Sequence, residues 1–318
     1  MSGSASNIAT TMRLLLQHGP SRGYYPEASK SILICKPADR PRAAALLSKF
    51  NFKFMDGSRY IGSFIGTEES LHEWLAPKIK AWTNHVKLLS RVAKRYPQTA
   101  FAALTKSLQN EWTYLQRVVP DVSAAFQPIE NALAEDFIPA LFGDKACPSR
   151  DLTQLPVRHA GLGIPNPVTS SDKHFTVSLA MTNQVTASIR NSSPLDAIGY
   201  GTVSAGILGQ AKKSLDDQMA EQLDTILASA SHSDARRMKQ SQLTGAWLTA
   251  TPSDDFGTAL SATEFRDSIR IRHGFSPLGL PSHCDACPSA RFTVGHALQC
   301  SKGGLIRARH EAVSAEWH

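Results

Sequence analysis

HCDACPSARFTVGHALQC, residues 283–300, sets Cys284, Cys287, His296 and Cys300 within 17 positions. Two cysteines separated by two residues form a knuckle whose thiolates reach one ion. A His-x-x-x-Cys step then closes the tetrahedron from a single helical face. Soft nitrogen and sulfur donors at this spacing suit Zn²⁺ above the other common metals. The eight residues between Cys287 and His296 are fewer than a two-Cys, two-His finger uses, so the expectation is a compact CCHC knuckle around a structural Zn²⁺. His283, just ahead of the knuckle, and His310, ten residues beyond Cys300, are alternatives to His296 as the fourth ligand. The i, i+4 step from His296 to Cys300 favours His296. Cys35 and Cys147 complete an odd count of five cysteines, which fits a disulfide framework poorly. The apolar run Leu14-Leu15-Leu16 is too short for a secretory signal, so an intracellular protein, nuclear or cytoplasmic, is expected, not a secreted one.

The chain has 318 residues, enough for two or three units with separate cores. Hydrophobic residues make up 42% and charged residues 19%, the balance of a soluble globular protein, and no apolar run is long enough to span a membrane. The net charge of +7 is unevenly spread. Residues 1–120 hold 17 Lys and Arg against 7 Asp and Glu, or +10, whereas residues 121–318 hold 17 against 20, or −3. A basic excess confined to one part of a chain is the electrostatic footprint expected for nucleic acid. A basic solvated surface has the same composition.

Periodicity places a short amphipathic helix over residues 5–17, a buried strand over Ser31–Cys35 and a helix over Arg42–Phe50. Phe52–Met55 and Arg59–Phe64 read as a hairpin about Asp56-Gly57, a strong turn dipeptide. A long helix follows over residues 68–96, with Leu75, Ile79, Trp82, Val86, Leu89 and Ala93 in one apolar stripe. Pro77 lies inside this pattern and implies a start or a kink there. Lys80, Lys87, Arg91 and Lys94 fall in a line on another face, an arrangement that suits phosphates and also plain solubility. Phe101, Leu104, Leu108, Trp112 and Leu115 mark the inward face of a helix over residues 99–118, and Phe126, Ile129, Leu133 and Phe137 that of another over residues 123–141. A Pro- and Gly-punctuated loop at residues 143–166, helices over 168–190 and 211–242, a Gly- and Ser-rich linker at 191–209 between them, and a helix over 261–273 complete the pattern. The fold class is α+β, mostly α.

Three further stretches carry a resemblance. Gly23-Tyr24-Tyr25-Pro26-Glu27-Ala28-Ser29-Lys30-Ser31 is similar to the palm motif with a Lys-Thr/Ser step, and Tyr60-Ile61-Gly62 to the Tyr-Leu-Gly turn, of reverse transcriptases from non-LTR (LINE-like) retrotransposons. Leu155–Ile164, with Gly161-Leu162-Gly163, looks like the stretch beyond the thumb of that family. The knuckle, followed by Gly303-Gly304 and Arg307-Ala308-Arg309-His310, resembles the CCHC module between polymerase and restriction-like endonuclease. The resemblance implies a palm remnant at residues 1–66, a helical thumb at 67–145, a helical connector with its linker at 146–258, and the zinc knuckle with a following helix at 259–318. It implies Lys30 near an incoming nucleotide, Tyr60, Ile61 and Gly62 at a primer grip, and Lys80, Lys87, Arg91 and Lys94 along a template–primer duplex. Nucleic acid would then be bound without sequence preference, with no membrane involved.

Polymerisation needs carboxylates holding two Mg²⁺ ions about 3.5–4 Å apart. In the resembling family they come from an aromatic-x-Asp-Asp strand that would precede Met1, and the endonuclease acids would follow His318. The expectation is therefore a chain that is not an enzyme on its own, with Mg²⁺ relevant only to intact relatives. Asp216-Asp217 and Asp254-Asp255 read as surface carboxylates. The competing expectation is a domesticated structural protein whose knuckle contacts a protein partner.

Overall fold

The computed structural model describes residues 3–27, 30–302 and 304–316. Ala28, Ser29 and Gly303, parts of two of the motifs above, lie outside these. The chain packs as two units, Met1–Ile79 and Lys80–His318. The expected segments 67–145, 146–258 and 259–318 fall, but for residues 67–79, within the second.

In the first unit, α1 (Ala5–His18) starts at Ser4, whose hydroxyl accepts from the Asn7 N–H at 3.3 Å. β1 (Ile32–Leu33), α2 (Arg40–Leu47) and β2 (Lys53–Phe54) follow. β1 and β2 pair in parallel, Leu33 opposite Phe54, and α2 supplies the crossover that parallel strands require. Ala9, Met12, Leu33, Ala43, Leu47 and Phe50 form the core between helices and strands.

Residues 52–64 do not form the expected hairpin. Phe54 pairs with β1, and the hairpin is β3 (Gly57–Tyr60) against β4 (Ser63–Gly66), turning at Ile61-Gly62. Both turn residues are left-handed, φ 46° and 82°, the geometry that matches strand twist in two-residue turns. Gly57 is instead the first residue of the ladder, opposite Gly66, with Asp56 just ahead of it. Arg40 donates to the Asp56 carboxylate at 2.8 Å, and the Asp56 carbonyl accepts from the Thr67 N–H at 2.9 Å. Gly57 is needed for close approach, not for a turn: a Cβ there would overlap the Phe64 ring at 2.3 Å.

α3 (Glu68–Ala93) passes through Pro77 as one helix, so the helix does not start at that proline. Leu75, Ile79, Trp82, Val86 and Ala93 are buried and Leu89 is half-buried, as the stripe requires. In the second unit α4 (Pro97–Ala103) continues through a π segment, Leu104–Leu108, into α5 (Gln109–Val118). α6 (Gln127–Asn131) likewise continues through Ala132–Phe137 into α7 (Ile138–Phe142). All nine residues expected inward on these two runs, from Phe101 to Phe137, are buried.

The loop at residues 143–166 holds α8 (Arg150–Thr153) and a tight packing knot. Arg150 forks onto the buried Glu130 carboxylate at 2.6 and 2.9 Å and donates to the Ile164 carbonyl at 2.7 Å. Gly161 has no room for a side chain, because a Cβ would stand 2.0 Å from the Leu155 carbonyl oxygen. α9 (Pro167–Asn191) and α10 (Ala197–Ser229) then form a long helical hairpin. The linker expected at 191–209 is a correction: only residues 192–196 turn, and the glycines beyond them are helical. Asp196 caps α10 by accepting from the Gly199 N–H at 3.0 Å, which starts the helix ahead of the Gly-rich run. α11 (His232–Leu243) and α12 (Ala262–Arg272) follow, the latter opened by a capping box of Ser261 and Glu264. Beyond them come β5 (His283–Cys284), β6 (Cys287–Arg291), α13 (Val294–Gln299) and α14 (Leu305–Ala315). The architecture is mostly helical with three two-stranded sheets among the described residues.

Candidate metal centre and charged groove

β5 and β6 pair antiparallel with Cys284 opposite Cys287, so the Cys-x-x-Cys step straddles the Asp285-Ala286 turn. α13 begins at Thr293, whose hydroxyl accepts from the His296 N–H at 3.0 Å. That cap puts His296 in the first turn and Cys300 at the helix end, one turn away. The four residues of the expected CCHC knuckle therefore sit on a hairpin followed by a short helix.

The ligand atoms of Cys284, Cys287, His296 and Cys300 all lie within 4.8 Å of one another. Cys300 Sγ stands 3.9 Å from Cys284 Sγ and 3.8 Å from Cys287 Sγ. Zn–S bonds of about 2.3 Å at tetrahedral angles space two sulfurs by about 3.8 Å, whereas a disulfide requires about 2.05 Å. The His296 Nε2 is buried without a partner in the protein, as a metal-facing nitrogen would be. Removal from water, then the neighbouring Cys300 and Cys284, holds the Cys287 thiol above its ordinary range, a repulsion that a cation among the three sulfurs would reverse. The residues fit a metal ion, and the donor set is one that binds Zn²⁺. His283 and His310 are not in the cluster: each is exposed, beside Ser282 and Ser314 respectively.

Two residues of this module gave no signal as ligands and matter as supports. Thr293 aims His296, and its Thr-x-x-His spacing is that of a helix cap. Arg309 of α14 donates to the Leu298 carbonyl at 3.4 Å and ties the last helix to α13.

Lys80, Lys87, Arg91 and Lys94 are all exposed on α3 or just past its end. Three of them, Lys87, Arg91 and Lys94, line one wall of a groove of about 720 Å³; Lys80 does not. Lys145 and Arg266 add to its positive charge, and Glu135, Asp136 and Asp144 place carboxylates in the same groove. Arg266 also closes the end of α3 by donating to the carbonyls of Ala93 and Lys94, at 2.7 and 2.5 Å. These later contributors come from α12, the π segment before α7 and the loop after it, so no local spacing announces them.

In the first unit Lys30 is exposed and paired with Glu27 at 2.8 Å, and Tyr60, Ile61 and Gly62 form the turn of the β3–β4 hairpin. Asp216, on α10, accepts from Arg158 Nε at 3.0 Å and faces His159 Nε2 at 2.8 Å. His159 first and Arg158 second hold its carboxyl below the usual range. Asp254 and Asp255 lie in an exposed turn closed by the Gly257 N–H on the Asp254 carbonyl at 3.1 Å. No described helix is long and apolar enough to cross a membrane. No family model, curated protein or solved structure matches the chain.

Proposed function

We propose that this chain is a nucleic-acid-binding part of a non-LTR retrotransposon reverse transcriptase, with Zn²⁺ held as a structural ion by Cys284, Cys287, His296 and Cys300. The observation that carries the reading is the closed ligand set: four protein donors at tetrahedral spacing leave no position for substrate, which is the form of a structural site. When bound, zinc would fix the hairpin against α13. The order of the palm-like motifs, the cationic helix and the CCHC knuckle supports the family, and the exposed Lys87, Arg91 and Lys94 supply phosphate contacts without base readout.

On this reading the chain does not extend a primer alone. Asp216 is engaged by Arg158 and His159, and Asp254 and Asp255 sit in a turn, so neither pair has the setting of a metal-holding palm strand. An electrophoretic shift of an RNA–DNA hybrid at about 50 and 200 mM salt tests the proposal: binding at the lower salt that weakens steeply at the higher is expected. Absence of binding at low salt rejects it, and primer extension by the purified chain rejects the non-catalytic assignment.

One observation favours a second reading, a zinc-held module that docks on a protein. Glu135, Asp136 and Asp144 share the groove with the cations and would repel a phosphate backbone. Loss of a protein partner, with hybrid binding unchanged, on reversing these three charges would select that reading.

A further inference from the structure

The distal half of the α9–α10 hairpin is unlike the rest of the molecule. Between Thr176 and Gln210 the chain carries two charged residues in 35, Arg190 and Asp196, against 19% charged overall. The helices run antiparallel, since Ser204 Oγ donates to the Met181 carbonyl at 3.4 Å and Lys173 Nζ to Gln218 Oε1 at 2.8 Å. Of those 35 residues only Ser204 is buried. Leu179, Val203 and Leu208 are exposed, and Ile189 and Ile198 at the tip are 75% and 85% exposed.

Thr, Ser and Val recur in this part of α9, and Gly199, Gly201, Gly206 and Gly209 lie in that of α10, residues that hold a helix weakly without packing. Two helices share one seam, which leaves their outer aliphatic residues unburied. We propose that the hairpin tip docks on the same tip of a second copy, forming a two-fold four-helix bundle.

Three features select a second copy over other occupants. A two-fold interface sets a surface against itself, so it must be self-complementary. One cation and one anion flanking the same turn satisfy this, because Arg190 of one copy can meet Asp196 of the other, whereas the basic surface of α3 would repel its like. The exposed aliphatic side chains also come from both helices, Leu179 and Ile189 from α9 and Ile198, Val203 and Leu208 from α10, so a four-helix bundle can bury them together. Finally, a polyanion finds a single cation here, which leaves it no footing.

Sedimentation equilibrium of the full chain in about 0.5 M salt, which removes nucleic-acid bridging, tests this. At about 100 µM a mass twice 34.5 kDa is expected. Ile189→Glu with Ile198→Glu should return the monomer mass with unchanged helical circular dichroism, since both side chains are already in water. Arg190→Glu should weaken the dimer, because it sets a glutamate where the arginine would meet Asp196 of the other copy. A monomeric wild-type chain at that concentration overturns the proposal. A dimer that survives the double glutamate variant overturns it too, because it must then form elsewhere.

Discussion

Ile61 is a β-branched residue held at φ 46° at the tip of a turn, with its side chain 80% exposed. It gains little from burial and bears the left-handed strain that Asn or Gly avoids. Ile61→Asn should therefore raise stability by about 1 kcal/mol, seen as a higher urea midpoint. If Ile61 serves the proposed primer grip, the same variant should bind hybrid more weakly. His273 is the opposite case, a titratable group inside the second unit. Its ring packs edge-on to Phe142 at 5.6 Å, and its Nε2 has no partner. Burial, then Arg272 and Arg237, pushes its pKa from 6.5 down to about 3. The unfolded chain takes up a proton near pH 6.5 that the folded chain refuses until about pH 3, so stability is full above the first value and falls between the two. The loss is on the order of a few kcal/mol by pH 4. His273→Phe should flatten the fall in urea midpoint between about pH 7 and about pH 4.5; an unchanged slope would reject this account.

At the scale of elements, Gly206 and Gly209 lie inside α10 with nothing within 4 Å of an added Cβ. Gly206→Ala and Gly209→Ala should each stabilise the chain by about 0.5–1 kcal/mol, read from thermal unfolding at low concentration. The same glycines explain why residues 191–209 read as a linker. Composition registers weak intrinsic propensity, but the Asp196 cap and the seam with α9 carry the helix across it. The apolar stripes of α3 through α7 were legible because burial and a helical period coincide there. The β1–β2 pairing was not, since a parallel ladder joins residues far apart and leaves no local mark. The clustering of Cys284, Cys287, His296 and Cys300 was legible from their spacing, and the roles of Thr293 and Arg309 were not, because they touch the cluster only through backbone groups. Zinc should be present at one ion per chain by atomic absorption. Chelation, or Cys284→Ser with Cys287→Ser, should abolish it and unfold β5 through α13 while most helical signal survives.

Across the whole molecule, the concentration of positive charge in residues 1–120 sets the expectation for salt dependence. Replacing Lys87, Arg91 and Lys94 together by Gln should lower the slope of log affinity against log salt by about 2–3, at roughly 0.7–0.9 for each phosphate no longer neutralised. A slope that does not change would place the polyanion elsewhere. The cap that Arg266 lays on Ala93 and Lys94 joins positions 173 and 172 residues apart, and Gln98 reaches Thr258 and Leu260 over 160 and 162. Arg266 must have cleared the ribosome before these ties can form. The cationic helix therefore waits, unlatched, while the intervening residues are made, and closing these ties is a late event in the maturation of the second unit.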